Sequence, residues 1–312
     1  MHSYAYYEIK RRLLYYLNRI AGESVPFSCF AGGRIYHADE GNDIIRDMIL
    51  SGKPFTATRF GKTEMDPLIY RERNKHNAGI KQAADRDIGR CSGFFPCTDE
   101  MIERYRSVFI DSIKDIDLLG IYFFIENEEY MIDKYMNSPQ CCFPRALEPF
   151  YFDDPWTSAL KNKKVLVIHP FSKTIEKQYK IRERLFENEN VLPEFELKTI
   201  KAVQTLAGEK DPRFDNWFEA LEWMKSEIYK TDFDVALLGC GAYGIPLQHY
   251  IKELGKQSVY VGGGLQILFG IKGRRWDDHP EISLLYNDNW VRTDETEVIS
   301  NYKNVEQGGP YW

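Results

Sequence analysis

No stretch of 18 or more apolar residues occurs in these 312 residues, so no segment reads as a membrane-crossing helix. The N-terminus also lacks the apolar core and small-residue cleavage site of a secretory signal. Positive charge is not in excess. The 41 Lys and Arg stand against 47 Asp and Glu, a formal net charge of -6 that argues against a general electrostatic grip on nucleic acid. The six cysteines (Cys29, Cys91, Cys97, Cys141, Cys142, Cys240) show no C-x-x-C spacing, which leads us to expect reduced thiols and a cytoplasmic protein. Internal repeats, low-complexity tracts and an obvious flexible linker are missing too, leaving a single compact unit with decorations as the simplest organisation. What the chain has in quantity is core: 43% hydrophobic and 14% aromatic residues suffice for one large or two smaller domains.

The pattern of apolar residues alternates between strand and helix. A helix is expected from about Asn42 to Leu50, then a strand in "FTATRFG", a helix through Met101, Tyr105, Val108 and Phe109, and an apolar finish from Leu118 to Phe124. In the second half "KKVLVIHP" reads as a strand covered on both faces, because its run of Val, Leu and Ile has no polar alternation. The helix "SKTIEKQYKIRERLF" follows, with Ser172 as its N-cap, then a short strand near "FELKTIKAV". Trp217, Leu221, Met224 and Ile228 share one face of the next helix, and "DVALLG", "IPLQHYIKEL", "SVYVGG" and "LQILFGIKG" continue the alternation as strand, helix, strand and helix. This order predicts an α/β, Rossmann-like fold: a largely parallel sheet with helices on both faces. Residues 1–40 are expected as an N-terminal helical extension, 41–280 as the α/β domain and 281–312 as a C-terminal extension packed on it. Ligands of such a sheet bind beyond the carboxyl ends of its strands, where the strand order reverses.

The segment "LLGCGAYGIP" contains a literal G-x-G-x-x-G at Gly239, Gly241 and Gly244, between an apolar run and a helical pattern. A nicotinamide site would need an acidic residue some 20 positions on to hold the ribose, and none occurs from Ser258 through Lys272. What remains is either a phosphate site at the helix N-terminus or a set of glycines that lets a helix pack on a strand. Other clusters fall at predicted strand ends: Arg59, Gly61 and Glu64 in "TRFGKTEM", His169, Ser172 and Lys173 in "IHPFSK", Gly262 to Gln266 in "GGGLQ", and Lys272, Arg274 and Arg275 in "GIKGRRWDD". Each has a plain structural alternative, namely an ion pair, a satisfied histidine or a solvated face. Together they supply cations, backbone donors and a carboxylate, as a diphosphate ligand requires.

"TRFGKTEM" resembles the R-F-G-x-x-E signature of the GT-D type of glycosyltransferase, bacterial enzymes of glycan assembly. The run "LLGCGAYGIPLQHYIKELGKQSVYVGGGLQILFGIKGRRWD" and the terminal "VEQGGPYW" are similar to later regions of that family, so the resemblance covers roughly residues 42 to 312. It implies a GT-D-like fold and transfer of a sugar from a nucleotide-sugar donor, a UDP-sugar first among them, to a glycan or lipid-linked acceptor. It places Arg59, Gly61 and Glu64 on the first motif and Gly239, Gly241, Tyr243 and Gly244 on the second. In the better-known branch the first motif reads R-F-G-D-G-E, and its two carboxylates are associated with a divalent metal on the donor diphosphate. Here Lys62 stands at the aspartate position, which makes Mn or Mg optional and leaves Glu64 as sole carboxylate ligand, as a base, or as the partner that orients Arg59.

The expected site therefore has Arg59, Glu64 and His169 at its centre. Around them the donor would contact Gly61, Ser172, Gly239, Gly241, Tyr243, Gly244, Gly263, Gln266, Lys272, Arg274 and Arg275. Two other functions stay open: a nucleotide-binding oxidoreductase or epimerase, and a non-catalytic member of a glycan-assembly complex. The opening "YAYYEIKRRLLYYLNRI" interleaves apolar and basic residues, so residues 4–20 are either a terminal helix packed on its own domain or a peripheral contact with the inner face of the cell membrane.

Overall fold

Val165, Leu166, Val167 and Ile168 are all fully buried, as expected of a central strand covered on both faces. The computed structural model describes residues 3–21, 29–30, 33–72, 77–122, 128–306 and 308–312. Its elements run α1 (Tyr4–Ala21), β1 (Cys29–Phe30), β2 (Gly33–Tyr36), α2 (Ala38–Ser51), β3 (Phe55–Arg59), α3 (Lys62–Glu72), α4 (Ala78–Ser92), α5 (Asp99–Ile113), β4 (Leu118–Gly120) and α6 (Glu128–Tyr135). There follow β5 (Gln140–Cys142), β6 (Lys164–His169), α7 (Ser172–Tyr179), β7 (Glu196–Lys201), α8 (Trp217–Lys230), β8 (Val235–Leu238), α9 (Gly244–Glu253), β9 (Gln257–Tyr260), α10 (Leu265–Leu268) and α11 (Arg274–Asp277). The sheet order is β1-β2-β5-β4-β3-β9-β8-β6-β7. Every pairing is parallel except β1 with β2, so the fold is α/β with eight parallel strands. Strand β2 pairs with β5, which brings part of the expected N-terminal extension into the sheet.

Two cores lie on opposite faces of this sheet. One gathers Met65 and Leu68 of α3, Tyr105 and Phe109 of α5, Trp217 and Met224 of α8, and Leu247 and Ile251 of α9. The other gathers Ile45 and Ile49 of α2, Ile175 of α7 and Leu265 to Phe269 around α10. The strand after which each helix departs decides where the sheet opens. Chain leaving β6 enters α7 on one face and chain leaving β8 enters α9 on the other, although β6 and β8 are neighbours. Such a divergence parts the loops and leaves a crevice at the carboxyl ends of β6 and β8.

Several local expectations change on folding. The helix expected over 172–186 stops at Tyr179, where the Gln178 side chain turns inward to donate to the carbonyls of Gly270 (3.2 Å) and Asn289 (2.9 Å). Ser172 does not cap it. Phe171 is the residue before the first turn, and the buried Glu297 carboxylate accepts from the backbone N–H of Lys173 (2.8 Å) and Thr174 (3.0 Å) and from the Thr174 hydroxyl (2.6 Å). The chain's own carboxylate thus takes the anion position at this helix N-terminus. The helix expected in "LQILFGIKG" is the single turn of α10, because the chain reverses at Gly270, whose φ is 64°. Strand β4 ends at Gly120, and the expected continuation to Phe124 runs past the described residues. Helices α3, α4 and α6 had no clear periodic signal; Pro67 interrupts the first, and a polar run makes up the second.

Glu297→Ala is expected to lower stability by about 2–3 kcal/mol, because two helix N–H groups and a buried hydroxyl lose a charged acceptor together. Chemical denaturation of the two proteins measures the difference, and a change below about 0.5 kcal/mol would contradict the capping role.

Candidate functional site

Four neighbouring strands, β3, β9, β8 and β6, end at one cavity of about 600 Å³, a volume in the range of small-molecule sites. Arg59 ends β3, Gly263 and Gln266 follow β9, Gly239 and Gly241 follow β8, and His169 ends β6; all line the cavity. A larger groove of about 1080 Å³, lined by residues of α4 and of the 205–215 segment, shares Thr205 with it but holds none of the residues that end the strands.

Arg59 is the fixed charge of the cavity. Its guanidinium carbon stands 5.4 Å from the Tyr122 ring centre and 5.9 Å from that of Tyr260. A Cβ on Gly262, whose φ is 69°, would overlap the guanidinium, so a glycine there makes room for the cation. Burial works against the charge, but the two tyrosines and the Glu148 carboxylate outweigh it and hold the pKa above the ordinary arginine value.

Glu64 lies in the first turn of α3 and folds back over the preceding loop, so that a Cβ on Gly61 would overlap its carboxylate. This accounts physically for glycine and glutamate three positions apart in "RFGKTE". The Thr63 hydroxyl donates to Glu64 Oε2 at 3.1 Å and shares a hydrogen bond of 2.5 Å with Ser92. Burial pushes the Glu64 carboxyl up, while its own backbone N–H, the two hydroxyls and the Arg59 charge pull it back.

His169 is buried, and its Nδ1 accepts from the Phe171 backbone N–H at 3.0 Å. Burial lowers its pKa to about 3, so the ring is neutral at physiological pH. With Nδ1 already an acceptor, the proton resides on Nε2. His169 therefore offers the cavity a hydrogen-bond donor, and in this tautomer it cannot take a proton.

The remaining expected residues divide. Arg275 lines the cavity and is tied to Glu306 and to the Tyr311 hydroxyl (3.4 Å) of the C-terminal segment. Lys62 lines it too, but is ion-paired to Asp66 one turn along α3 at 2.5 Å. Ser172 is buried in the first turn of α7 outside the lining, and Lys173 beside it pairs with Asp294. Tyr243 is stacked on Trp217 (ring centres 5.0 Å apart) and Gly244 abuts the Tyr260 ring, both beneath the cavity wall. Lys272 lies over the Tyr286 ring at 5.2 Å, and Arg274 donates to the Gly308 carbonyl at 3.3 Å; neither lines the cavity. Of the literal G-x-G-x-x-G, only the first two glycines reach the cavity, and the third serves helix packing.

Three wall residues had no individual signal in the sequence. Tyr122 and Tyr260 flank Arg59, and Glu148 follows a short helical turn in "PRALEPF". Among the described residues none donates a hydrogen bond to the Glu148 carboxylate. Burial pushes its pKa up, while Arg59 and Arg145 pull it down. Tyr311 and Glu306 enter from the C-terminal segment, which is held by the Gln266 amide donating to the Tyr311 carbonyl at 3.0 Å.

The sole-ligand role expected of Glu64 would place a divalent ion close to the Arg59 charge. Among the described residues no three His, Cys, Asp or Glu side chains converge. Lys62 is engaged elsewhere, and the Glu64 carboxylate is held by hydroxyls beside the Arg59 charge.

No family model matches the chain, and no curated protein matches it. Two solved structures are similar, each at 11% sequence identity and a TM-score of 0.43. One is described as the selenomethionine-substituted structure of domain of unknown function 1792, covering 86% of this chain and 92% of its own. The other is described as the highly conserved domain of unknown function 1792 with a distinct glycosyltransferase fold, covering 84% of this chain and 92% of its own.

Gly61→Ala is expected to cost about 1–3 kcal/mol by overpacking in the wild-type background, and little in Glu64→Ala, where the obstructing carboxylate is gone. A double-mutant cycle by denaturant unfolding measures this coupling; additive effects would place Glu64 away from Gly61. For His169 the folded pKa of about 3 lies below the unfolded value of 6.5, so the unfolded state binds more protons between them. Stability should fall as pH drops below about 6.5, and His169→Gln should lessen that slope in equilibrium unfolding across pH 4 to 7. An unchanged slope would mean that His169 titrates normally.

Proposed function

We propose that the chain is a glycosyltransferase that moves a sugar from a nucleotide-sugar donor, with a UDP-sugar as first candidate, to a hydroxyl of a glycan or lipid-linked acceptor in bacterial surface-polysaccharide or glycoprotein assembly. The observation that carries this reading is Arg59, a half-buried cation at the strand ends flanked by two aromatic rings, in a cavity that also holds the Glu148 carboxylate. The motif resemblance supplies the sugar.

In this reading the donor diphosphate lies against Arg59 and Arg275, and the His169 Nε2–H donates to one of its oxygens or to a sugar hydroxyl. Glu148 takes the proton of the acceptor hydroxyl as that oxygen bonds to the anomeric carbon. The bond from that carbon to the diphosphate oxygen breaks, and its electron pair leaves on the nucleoside diphosphate, whose charge the two arginines offset. Glu64, gripped by Thr63 and Ser92, orients the loop that follows Arg59. The lack of a ribose-binding acid beyond β9 weighs against a nicotinamide enzyme.

A thermal-shift panel of nucleotide-sugars, with and without Mn, tests the reading together with assay of nucleoside diphosphate release. The expected result is a stabilising donor and release that does not depend on Mn. No shift and no release across the panel would overturn the reading, and saturable nicotinamide fluorescence on titration would favour an oxidoreductase. Glu148→Gln is expected to keep the donor's thermal shift and lose about 100-fold or more in transfer rate; unimpaired transfer would remove Glu148 from the chemistry.

A further inference from the structure

Helix α1 has two apolar sides, one buried against α6 and one exposed among the described residues. Tyr4 and Tyr7 are buried against α6, where Tyr4 and Tyr7 meet the Tyr130 ring edge-on at 5.4 and 5.6 Å. The Tyr7 hydroxyl donates to Asp133, and Lys10 pairs with Glu129 at 2.6 Å. On the opposite side Tyr6, Ile9, Leu13, Tyr16, Leu17 and Ile20 are exposed by 43, 67, 57, 62, 50 and 84%. At helical spacing of about 100° per residue these six fall within a single arc of about 100°. They make up half of the exposed large hydrophobic residues of the described chain, gathered on one helix.

The helix is predominantly basic, with Lys10 paired to Glu129 and Arg12 to Glu8 at 3.0 Å. The helix sequence carries Lys10, Arg11, Arg12 and Arg19 against Glu8 alone, within a chain whose formal net charge is -6. Lys10 and Arg12 fall on the two borders of the exposed arc. A second copy of the chain would bring like-charged borders together and is disfavoured. An anionic lipid surface takes both features at once, the apolar stripe into the acyl boundary and the basic borders against the headgroups. Among the described residues no helix is long and apolar enough to cross a membrane, so the contact is one of lying on the surface.

We propose that α1 docks the protein on an anionic lipid surface through Ile9, Leu13, Leu17 and Ile20. This surface is tied to the cavity. Helix α6, on which α1 rests, begins at the buried Glu128, whose carboxylate accepts from the Tyr122 backbone N–H at 3.0 Å, and the Tyr122 ring flanks Arg59. If the proposed transferase function holds, the acceptor is drawn from the lipid surface; the docking itself does not depend on that function.

Co-sedimentation of the full chain with vesicles tests the docking without any assay of activity. Phosphatidylcholine vesicles containing phosphatidylglycerol are compared with pure phosphatidylcholine at low and high salt. The expected result is binding to the anionic vesicles that weakens with salt, and a loss of about tenfold or more in Ile9→Ser/Leu13→Ser/Leu17→Ser/Ile20→Ser. Because these side chains are exposed, the variant should keep the wild-type melting temperature, and Arg12→Glu should weaken binding with the stripe intact. Equal recovery of wild type and the quadruple variant on anionic vesicles would overturn the proposal. So would a concentration-dependent dimer by light scattering that the four substitutions dissolve while vesicle binding is absent, the outcome expected if a second copy covers the stripe.

Discussion

A half-buried guanidinium between aromatic rings has few places to exist, and the strand ends of this protein give Arg59 one. The charge cannot be titrated away at any physiological pH, so its surroundings must tolerate it. Two tyrosine faces lie near it, Gly262 leaves it the room a Cβ would fill, and Glu148 balances it across the cavity. These groups come from strands β3, β4 and β9 and the segment after β5, so the position of one charge depends on the registers of parallel strands far apart in sequence. An anion entering the cavity meets a cation that needs no rearrangement, which is the electrostatic condition for stabilising charge that develops on a leaving group.

The glycines are best understood as the negative of the side chains around them. Gly61 leaves room for the Glu64 carboxylate, Gly262 for the Arg59 guanidinium and Gly244 for the Tyr260 ring. A Cβ on Gly239 would come within 2.6 Å of the Gly262 carbonyl, so the loops after β8 and β9 touch backbone to backbone. The G-x-G-x-x-G spelling is thus produced by close packing at a strand-helix junction, and phosphate affinity need not enter. At α7 the N-terminal N–H groups that might have held an anion are closed by Glu297.

Strand and helix alternation was legible because buried parallel strands such as "VLVI" and amphipathic helices such as 217–230 carry strong local patterns. The residues at strand ends follow from that topology, and Arg59, Glu64, His169, Gly239 and Gln266 line one cavity. Glu148, Tyr122 and Tyr260 escaped because each joins the cavity through long-range packing and has no neighbour in sequence to betray it. Lys272 and Arg274 were drawn in by their neighbour Arg275, yet successive residues at a helix start point in different directions, and only one reaches the cavity. The tautomer of His169 depends on a single backbone N–H, which no sequence pattern reports. The opening helix was legible as amphipathic, but which of its two apolar sides the domain covers was decided by α6.

The central claim is that Arg59, without a metal, holds the diphosphate of a nucleotide-sugar. Calorimetric titration of UDP and a UDP-sugar into wild type and Arg59→Gln, in buffer containing EDTA, tests it most directly. The account predicts saturable binding to wild type in EDTA and weakening by about 100-fold in the variant, as expected for the loss of a charge-assisted contact in a half-buried site. Binding that appears only on adding Mn, or that survives unchanged in Arg59→Gln, would contradict it.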